Sequence, residues 1–171
     1  MGRDISPDFK VVVSNADEHY PSDLVNPIDI VKYIAKEKGE IVHKDYPHDI
    51  VISADTIVVI DNKIIGKPKD EKDAFRMLRM LSGRTHVVYT GYAIFKEDKL
   101  VNKVVASEVT FNDLSDQFIL DYIATGSPMD KAGAYGLQDT EKFNVAKEIK
   151  GSFENIVGFP TKEIKEDLSK I

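Results

Sequence analysis

The sequence predicts a single domain of the α/β or α+β class, and three observations lead to that prediction. Apolar patterns typical of strands and of helices alternate along the chain. The length of 171 residues matches one ordinary domain. Hydrophobic residues make up 42% and charged residues 30%, which is typical of a globular protein and unlike a disordered one. We therefore expect one sheet with helices packed on it.

The first half of the chain is predicted to hold strands around one long helix. Residues 9–14 have the β-branched character of a strand. A helix begins at Asn26-Pro27, with Asn as the cap and Pro in the first helical position, and continues to about Lys44. Residues 50–60 are the most apolar stretch and predict a buried strand. Asp61-Asn62 then predicts a tight turn into a short strand.

The second half is predicted to continue with helices and two longer strands. Asp70 can cap a helix that stops at Gly83. Strands are expected over residues 85–95 and 101–111, and Ser115 can cap the next helix. Residues 130–160 are rich in Gly and Asn and predict loops with short elements. A short amphipathic helix closes the chain, with these apolar residues on one face: Ile164, Leu168 and Ile171.

Composition and charge exclude several classes of function. The chain has no Cys, which excludes disulfides, Cys-bound zinc and a thiol nucleophile and makes a reducing cytoplasm the expected location. Its net charge of −6 makes it a poor non-specific binder of nucleic acid, so we expect no nucleic-acid partner. No apolar run is long enough to cross a bilayer, so we expect no membrane association through a spanning segment.

Two charged residues fall at positions where the pattern predicts burial. Asp55 interrupts the most apolar strand, where it either caps a nearby loop or serves as a general base or metal ligand. Lys38 continues the apolar stripe of the first helix, where it either extends its ammonium group to water or faces a cleft and binds phosphate. That stripe comprises Ile28, Val31, Ala35 and Val42, with Ile34 and Ile41 beside it.

Other polar residues carry weaker signals when each is taken alone. Lys67 lies in a turn, Gly66-Lys67-Pro68, where most lysines are simply solvated. Asp17-Glu18 follows the first strand and becomes significant if a metal lies between it and Asp55. Thr56 is by default a good strand former, and Gln138 lies in an expected turn. The sequence has no Walker-type loop and no G-x-G-x-x-G after a strand, so the usual phosphate cradles are absent.

Several short blocks of residues follow one another in a definite order and spacing. They are DE at 17–18, AKEK at 35–38, SADTIV at 53–58, GKP at 66–68, LSGRTH at 81–86, YTG at 89–91, PMDKAGAYG at 128–136 followed by Gln138, GS at 151–152 and NIVGFP at 155–160. Taken in order, these blocks resemble the Maf family of nucleotide pyrophosphatases. The resemblance covers about residues 9 to 160, and the number of blocks in the right order makes it specific.

The resemblance implies a fold and a reaction. The implied fold is Maf/inosine-triphosphatase-like, a long twisted mixed sheet flanked by helices with two lobes around a central cleft, formed by one Maf-like domain over residues 1–171. The implied reaction cleaves a nucleoside triphosphate between the α and β phosphates. Asp55 matches the family's proton acceptor, Glu18 would assist Asp55 in holding Mg²⁺ or Mn²⁺, and Lys38 and Lys67 would stabilise charge on the triphosphate. Dimers are common in the family, so the resemblance also allows a homodimer.

Two positions resemble the branch of the family that acts on dTTP and UTP. That branch has Thr directly after the Asp and Gln in the Tyr-Gly-x-Gln block, which here are Thr56 and Gln138. Family members also begin with a strand and a Ser-x-Ser-Pro-Arg-Arg loop, and this sequence contains neither that loop nor, by the family pattern, the helix after it. We therefore expect the chain as written to hydrolyse nucleotides more slowly than a version extended by that segment.

Two other functions stay open on the sequence. The first is a non-catalytic nucleotide-binding or cell-division protein, since the family has been linked to septum formation. The second is an inosine-triphosphate-type pyrophosphatase, whose Ser-x-Asn-x-x-Lys pattern and paired aspartates are not seen here. Release of pyrophosphate from dTTP would separate an enzyme from a binding protein, and a preference for ITP would indicate the second alternative.

Overall fold

The computed structural model describes residues 10–12, 20–136, 139, 143–151 and 160–171. In these ranges the chain forms helices α1 to α4 and strands β1 to β5. The helices are α1 Pro27–Asp45, α2 Glu71–Leu81, α3 Asp116–Ala124 and α4 Thr161–Lys170; the strands are β1 Val51–Ile60, β2 Lys63–Ile65, β3 Thr85–Lys96, β4 Lys99–Phe111 and β5 Ala146–Lys150. Short 3₁₀ turns cover Ser127–Asp130 and Ala132–Ala134.

The five strands form one sheet in the order β2-β1-β3-β4-β5, and helices flank it, as the sequence predicts. β1 and β2 pair antiparallel with Ile60 opposite Lys63, and β4 and β5 pair antiparallel with Glu108 opposite Lys150. The turn between β1 and β2 is the predicted one. Both of its residues, Asp61 and Asn62, have positive φ (52° and 61°), which is what a type I′ hairpin requires.

The predicted helix caps are confirmed. The Asn26 side chain accepts a hydrogen bond from the Ile28 N–H at 2.9 Å, and the following Pro27 starts α1. Asp70 caps α2 and Ser115 caps α3 in the same way, each accepting from an N–H three residues further on. Each cap satisfies a backbone donor that has no partner within its helix. These short-range interactions explain why the starts of the helices can be located in the sequence.

The chain is divided into two compact units. The first unit contains the described parts of Met1–Thr56, Tyr89–Val105 and Gly158–Ile171. In it, α1 buries Ile30, Val31, Ile34 and Ala35, and α4 packs Ile164 against Tyr92 and Ile94. The second unit contains the described parts of Ile57–Val88 and Ala106–Val157. Its apolar core includes the buried faces of α2 and α3 and the fully buried Phe111.

Two predictions about the first 45 residues need correction. Lys10, Val11 and Val12 form no strand, and Val11 is 77% exposed; the rest of the predicted strand lies outside the described residues. On α1, Ile28 and Ile41 are exposed, whereas Ile30 is buried. Ile28 belongs to the first turn and Ile41 to the end of the helix, and the buried residues are those of the central turns. The spacing of apolar residues identifies which face of α1 packs on the protein, but it does not show how many turns of the helix are covered.

No helix within the described ranges combines the length and the apolar character needed to cross a membrane.

Candidate active site

The first unit brings α1 very close to two strands of the sheet. A Cβ added at Gly91 of β3 would lie 2.6 Å from the Val31 carbonyl oxygen of α1, so only glycine allows this approach. Gly39 of α1 likewise leaves no room for a Cβ beside the side chains of Ser53 and Phe95. The Ser53 hydroxyl donates to the Ala35 carbonyl at 2.6 Å. These contacts fix the turn of α1 that carries Lys38 against β1.

Lys38 and Asp55 form an ion pair at this place. The Lys38 Nζ lies 2.9 Å from Oδ1 of Asp55, and the two side chains are 23% and 12% exposed. Asp55 shares a face of β1 with Ser53, since side chains two residues apart in a strand point the same way. The structure therefore joins the two residues that the sequence marks as anomalous. The opposite charge offsets the cost of removing each group from water.

Thr56 lies on the other face of β1, because side chains alternate along a strand. This is the face on which Ile52 and Ala54 pack with α4. The Thr56 hydroxyl is 2.8 Å from the hydroxyl of Thr90, which is completely buried in β3. Thr90 lies in the YTG block and carries no functional signal of its own in the sequence. A threonine opposite another threonine on a neighbouring strand is a common stabilising pair.

Lys67 belongs to the second unit and is exposed. Its neighbour Gly66 accepts a hydrogen bond from the Gly133 N–H at 3.1 Å, so the GKP block contacts the PMDKAGAYG block. Lys131 donates to Asp130 and lowers the pKa of that carboxyl, and Lys67 makes the smallest contribution in the same direction. The structure thus places Lys67 beside a second block that the resemblance singles out.

Glu18, Asp17 and Gln138 lie outside the described residues, so their predicted roles remain predictions. Within the described ranges no three side chains of His, Asp or Glu come together as a metal site. Asp55 does offer the hard carboxylate oxygens that Mg²⁺ and Mn²⁺ prefer. Mg²⁺ commonly takes one or two carboxylates and completes its shell with water and substrate phosphates. The donor chemistry of Asp55 therefore fits a divalent cation shared with a phosphate ligand.

The LSGRTH block has structural partners throughout the second unit. Arg84 pairs with Asp61 at 2.7 Å, and the Ser82 hydroxyl accepts from the Leu114 N–H at 2.7 Å. His86 is 1% exposed and its Nε2 is 2.7 Å from the Tyr135 hydroxyl. Burial lowers the pKa of His86 to about 4, so its ring is neutral near pH 7. These contacts give Ser82, Arg84 and His86 structural roles in the second unit.

The fold and the ion pair define the class of protein: an α/β protein with a lysine–aspartate pair held between a helix and the strand beneath it. The sequence comparison identifies the family. The chain belongs to the Maf family, since the family described as "Maf-like protein" matches residues 2–171. This membership confirms the resemblance drawn from the motif blocks.

Relatives in three organisms illustrate the similarity. A dTTP/UTP pyrophosphatase of Dictyoglomus turgidum is 46% identical over 168 residues, which cover 97% of this chain and 86% of that protein. One of Clostridium beijerinckii is 44% identical over 169 residues, 95% of this chain and 88% of that protein. One of Thermococcus onnurineus is 47% identical over 160 residues, 94% of this chain and 84% of that protein.

Proposed function

We propose that this protein is a nucleoside triphosphate pyrophosphatase that hydrolyses dTTP and UTP to the monophosphate and pyrophosphate. The observation that carries the proposal is the Lys38–Asp55 pair, a base and a cation within 2.9 Å of each other on a largely buried face of β1. The relatives named dTTP/UTP pyrophosphatase support the choice of substrate. The sequence has no cysteine, and the proposal includes a cytoplasmic location.

In the proposed reaction, Asp55 accepts a proton from the attacking water. The water oxygen forms a new bond to the α phosphorus. The bond from this phosphorus to the oxygen that bridges the α and β phosphates breaks, and pyrophosphate leaves with the electron pair. In this proposal, the Lys38 ammonium group leaves Asp55 and binds a phosphate oxygen when substrate binds. Its positive charge then stabilises the negative charge that develops during the displacement.

Further positive charge is needed because a nucleoside triphosphate carries roughly four negative charges near neutral pH. Lys38 and Lys67 supply two positive charges in this proposal. A divalent cation, Mg²⁺ or Mn²⁺, would offset phosphate charge when bound, with Asp55 and Glu18 as its protein ligands. These assignments rest on the motif positions together with the carboxylate chemistry of Asp55.

Base selection is assigned to Thr56 and Gln138. A Gln amide has both a donor and an acceptor, so it can match the alternating donor and acceptor groups at the edge of uracil or thymine. Changing Gln138 to Glu removes the donor and should reduce the preference for UTP. The Thr56 hydroxyl is already bonded to Thr90, which is consistent with an indirect role of Thr56 through the arrangement of β1.

The test compares two aspartates that each pair with a cation. We expect Asp55→Asn to lower pyrophosphate release from dTTP by about 10³-fold, because the amide cannot accept the proton, while its nearly identical shape leaves the packing around β1 unchanged. Asp61→Asn, which affects the exposed pair with Arg84, should leave release unchanged. Assays with EDTA, and then with added Mg²⁺ or Mn²⁺, test the metal. Binding of dTTP without any hydrolysis by the unaltered chain would favour the non-catalytic alternative.

A further inference from the structure

The loop that carries Lys67 follows the shortest strand of the second unit. β2 has three residues, Lys63–Ile65, and it is an edge strand of the described sheet, next to β1. Ile65 lies opposite Val58 of β1, and Gly66 follows directly. An edge strand leaves one side of its backbone unpaired, so three residues hold the following loop only weakly. The position of Lys67 therefore depends on contacts beyond the β1–β2 pair.

One such contact lies directly before Lys67. The Gly66 carbonyl accepts a hydrogen bond from the Gly133 N–H at 3.1 Å. Gly133 is the central residue of the second 3₁₀ turn, Ala132–Ala134. The hydrogen bond joins two segments that are 67 positions apart in the sequence, and both segments belong to the second unit. It gives the end of the edge strand a second backbone attachment.

The chain after Lys67 is fixed as well. Pro68 is buried, and a residue that precedes proline is restricted to extended backbone. The Lys69 N–H donates to the Asp73 carboxylate at 2.9 Å, which attaches the loop to the first turn of α2. Lys67 itself is exposed. The structure therefore presents an exposed lysine from a backbone that is anchored on both sides.

The turn that contacts Gly66 has an uncommon backbone conformation. Gly133 and Ala134 both have positive φ, 71° and 63°. Glycine adopts positive φ freely, whereas alanine is strained there, and such strain persists only where the surrounding structure maintains it. Ala134 is completely buried, and its N–H donates to the Lys131 carbonyl at 3.1 Å. Packing thus holds the turn in the one conformation that directs the Gly133 N–H towards Gly66.

Gly133 also has no room for a side chain. A Cβ at this position would lie 3.1–3.3 Å from three atoms of the Val58 side chain. Val58 is 3% exposed and packs in the core of the second unit, and its branched side chain is stiff. A side chain at position 133 would therefore displace the turn rather than the strand. The displacement would move the N–H away from Gly66.

We propose that Gly133 is a positioning residue for Lys67, which holds the loop that presents the Lys67 ammonium group to the phosphates of the nucleotide. This inference rests on the proposed function, in which Lys67 stabilises phosphate charge. An ammonium group is a point charge on a flexible stem, so its contribution depends on where its backbone is held. In this proposal Gly133 does not touch the substrate. Its replacement should weaken phosphate binding only through Lys67.

The experiment measures the Kd of a dTTP analogue with a methylene group between the α and β phosphates, which prevents cleavage at that bond. In the presence of Mg²⁺, Lys67→Met should weaken binding about tenfold, the effect of losing one hydrogen bond to a charged group. Gly133→Ala should weaken binding about fivefold, since the ammonium group is then misplaced rather than absent. In a chain that already carries Lys67→Met, Gly133→Ala should weaken binding by less than about twofold.

Gly126 supplies a matched control within the same unit. It also has positive φ, 77°, but a Cβ added there would meet nothing within 4 Å. Gly126→Ala therefore introduces similar backbone strain without displacing a neighbour, and the Kd should stay within about twofold of its original value. Equal losses of affinity in Gly126→Ala and Gly133→Ala would overturn the proposal, because general strain would then explain both.

Two further results would also overturn the proposal. One is an unchanged Kd in a folded Gly133→Ala. The other is an equal loss of affinity on adding Gly133→Ala with and without Lys67, because the glycine would then act independently of the lysine. Circular dichroism establishes that each variant is folded. If Gly133→Ala does not fold, Gly133→Asn takes its place in every comparison, since asparagine tolerates positive φ better than alanine and has the same Cβ.

The same variants separate this inference from the proposed function. A chain that binds the analogue but releases no pyrophosphate from dTTP overturns the proposed function. In that case the inference is still supported if Gly133→Ala weakens binding only when Lys67 is present. A chain that hydrolyses dTTP but keeps its affinity for the analogue in Lys67→Met overturns the inference alone. A chain that does not bind the analogue overturns both.

Discussion

The two units hold their charged side chains in different ways. In the first unit, Asp55 and Asp167 are almost buried, and each is paired with a lysine at 2.8–2.9 Å. In the described part of the second unit, ion pairs such as Asp61–Arg84 lie at the surface, with side chains 61% and 45% exposed. The less exposed side-chain hydrogen bonds of that unit join tyrosine hydroxyls to the neutral imidazole of His86 and to the partly buried carboxylate of Asp139.

The two units therefore differ in which interactions stabilise them. Breaking a buried ion pair leaves a charge without compensation and typically costs about 3–5 kcal/mol, whereas an exposed pair contributes about 0–1 kcal/mol. The first unit therefore concentrates electrostatic free energy at defined points, which suits binding and moving charge. The second unit concentrates directional hydrogen bonds, which suit the recognition of shape and of donor and acceptor groups.

Among the variants that test this comparison of the two units, the largest effect is expected at Lys38. Lys38→Met should lower pyrophosphate release by about 10²- to 10³-fold, because it removes the cation proposed to act on the phosphates. It should also destabilise the fold by about 3 kcal/mol, since Asp55 stays buried without its paired charge. Lys36→Met, two residues earlier on α1, is the control and should change neither quantity appreciably. Comparable losses of pyrophosphate release and of stability in the two variants would show that the Lys38–Asp55 pair is not specifically required for either.

A smaller loss, in stability alone, is expected at Lys103. Burial raises the pKa of Asp167, but the hydrogen bonds from Lys103 and Tyr92 outweigh burial and lower it below 3.8. The carboxylate therefore stabilises the fold above its ordinary pKa, and this contribution is lost as the pH falls through the folded-state value. Lys103→Met should lower the free energy of unfolding by about 2 kcal/mol at pH 7, measured with urea, which is less than for a fully buried pair because the Lys103 side chain is 55% exposed and screened by solvent. A decrease of less than about 0.5 kcal/mol in the free energy of unfolding is what a surface substitution produces. Such a result would show that the ion pairs of the two units do not differ in their contribution to stability.

The free energy of unfolding should decrease towards pH 5 because of His86, which belongs to the second unit. The pKa of His86 falls from 6.5 to about 4 on folding, so the unfolded chain takes up a proton that the folded chain does not. Stability is therefore lost as the pH falls from 6.5 towards 4, by about 2 kcal/mol between pH 7 and pH 5. Unfolding measured at both pH values should show this loss, and His86→Gln should remove most of it. The exposed His48→Gln serves as control, and a loss that persists unchanged in His86→Gln would refute the assignment.

The smallest effect is expected at the surface of the second unit. Arg84→Met breaks the ion pair with Asp61, yet solvent screens both groups, so the free energy of unfolding should change no more than in an ordinary surface substitution. The Arg84 guanidinium lowers the pKa of Asp61, mainly through the hydrogen bond. Raising the salt concentration should reduce the effect further. A loss as large as that of Lys103→Met would contradict the comparison.

Features set by neighbouring residues could be predicted from the sequence. The Asn26 and Asp70 caps and the Asp61-Asn62 turn depend on a few adjacent residues, and all were located correctly. The strand predicted over residues 9–14 was wrong for the described residues 10–12, because apolar character alone does not supply a pairing partner. β5 was expected as no more than a short element in a loop region, since its sequence is polar and its pairing depends on β4.

The candidate site shows the same division. Asp55 and Lys38 could be singled out because each breaks an apolar pattern, but their pairing across 17 residues came from the packing of α1 on β1. Asp139, which accepts hydrogen bonds from Tyr122 and Ser127, carried no local signal in the sequence, since an isolated polar residue in a predicted loop region is ordinary. The buried Tyr122 did carry one, because a buried tyrosine hydroxyl needs a partner. That need indicates that a partner exists without naming it.

The sequence by itself determined the α/β class, most of the element boundaries and the membership of the Maf family. Apolar periodicity, capping residues and ordered motif blocks are all properties of the linear order of residues, so they can be recognised without the structure. Tertiary structure decided which polar groups meet. Lys38 reaches Asp55 because Gly39 and Gly91 let the helix lie directly on the strands. Asp139 reaches Tyr122 because the chain folds back on α3. Contacts of this kind depend on distances between elements, and the local pattern of residues does not encode those distances.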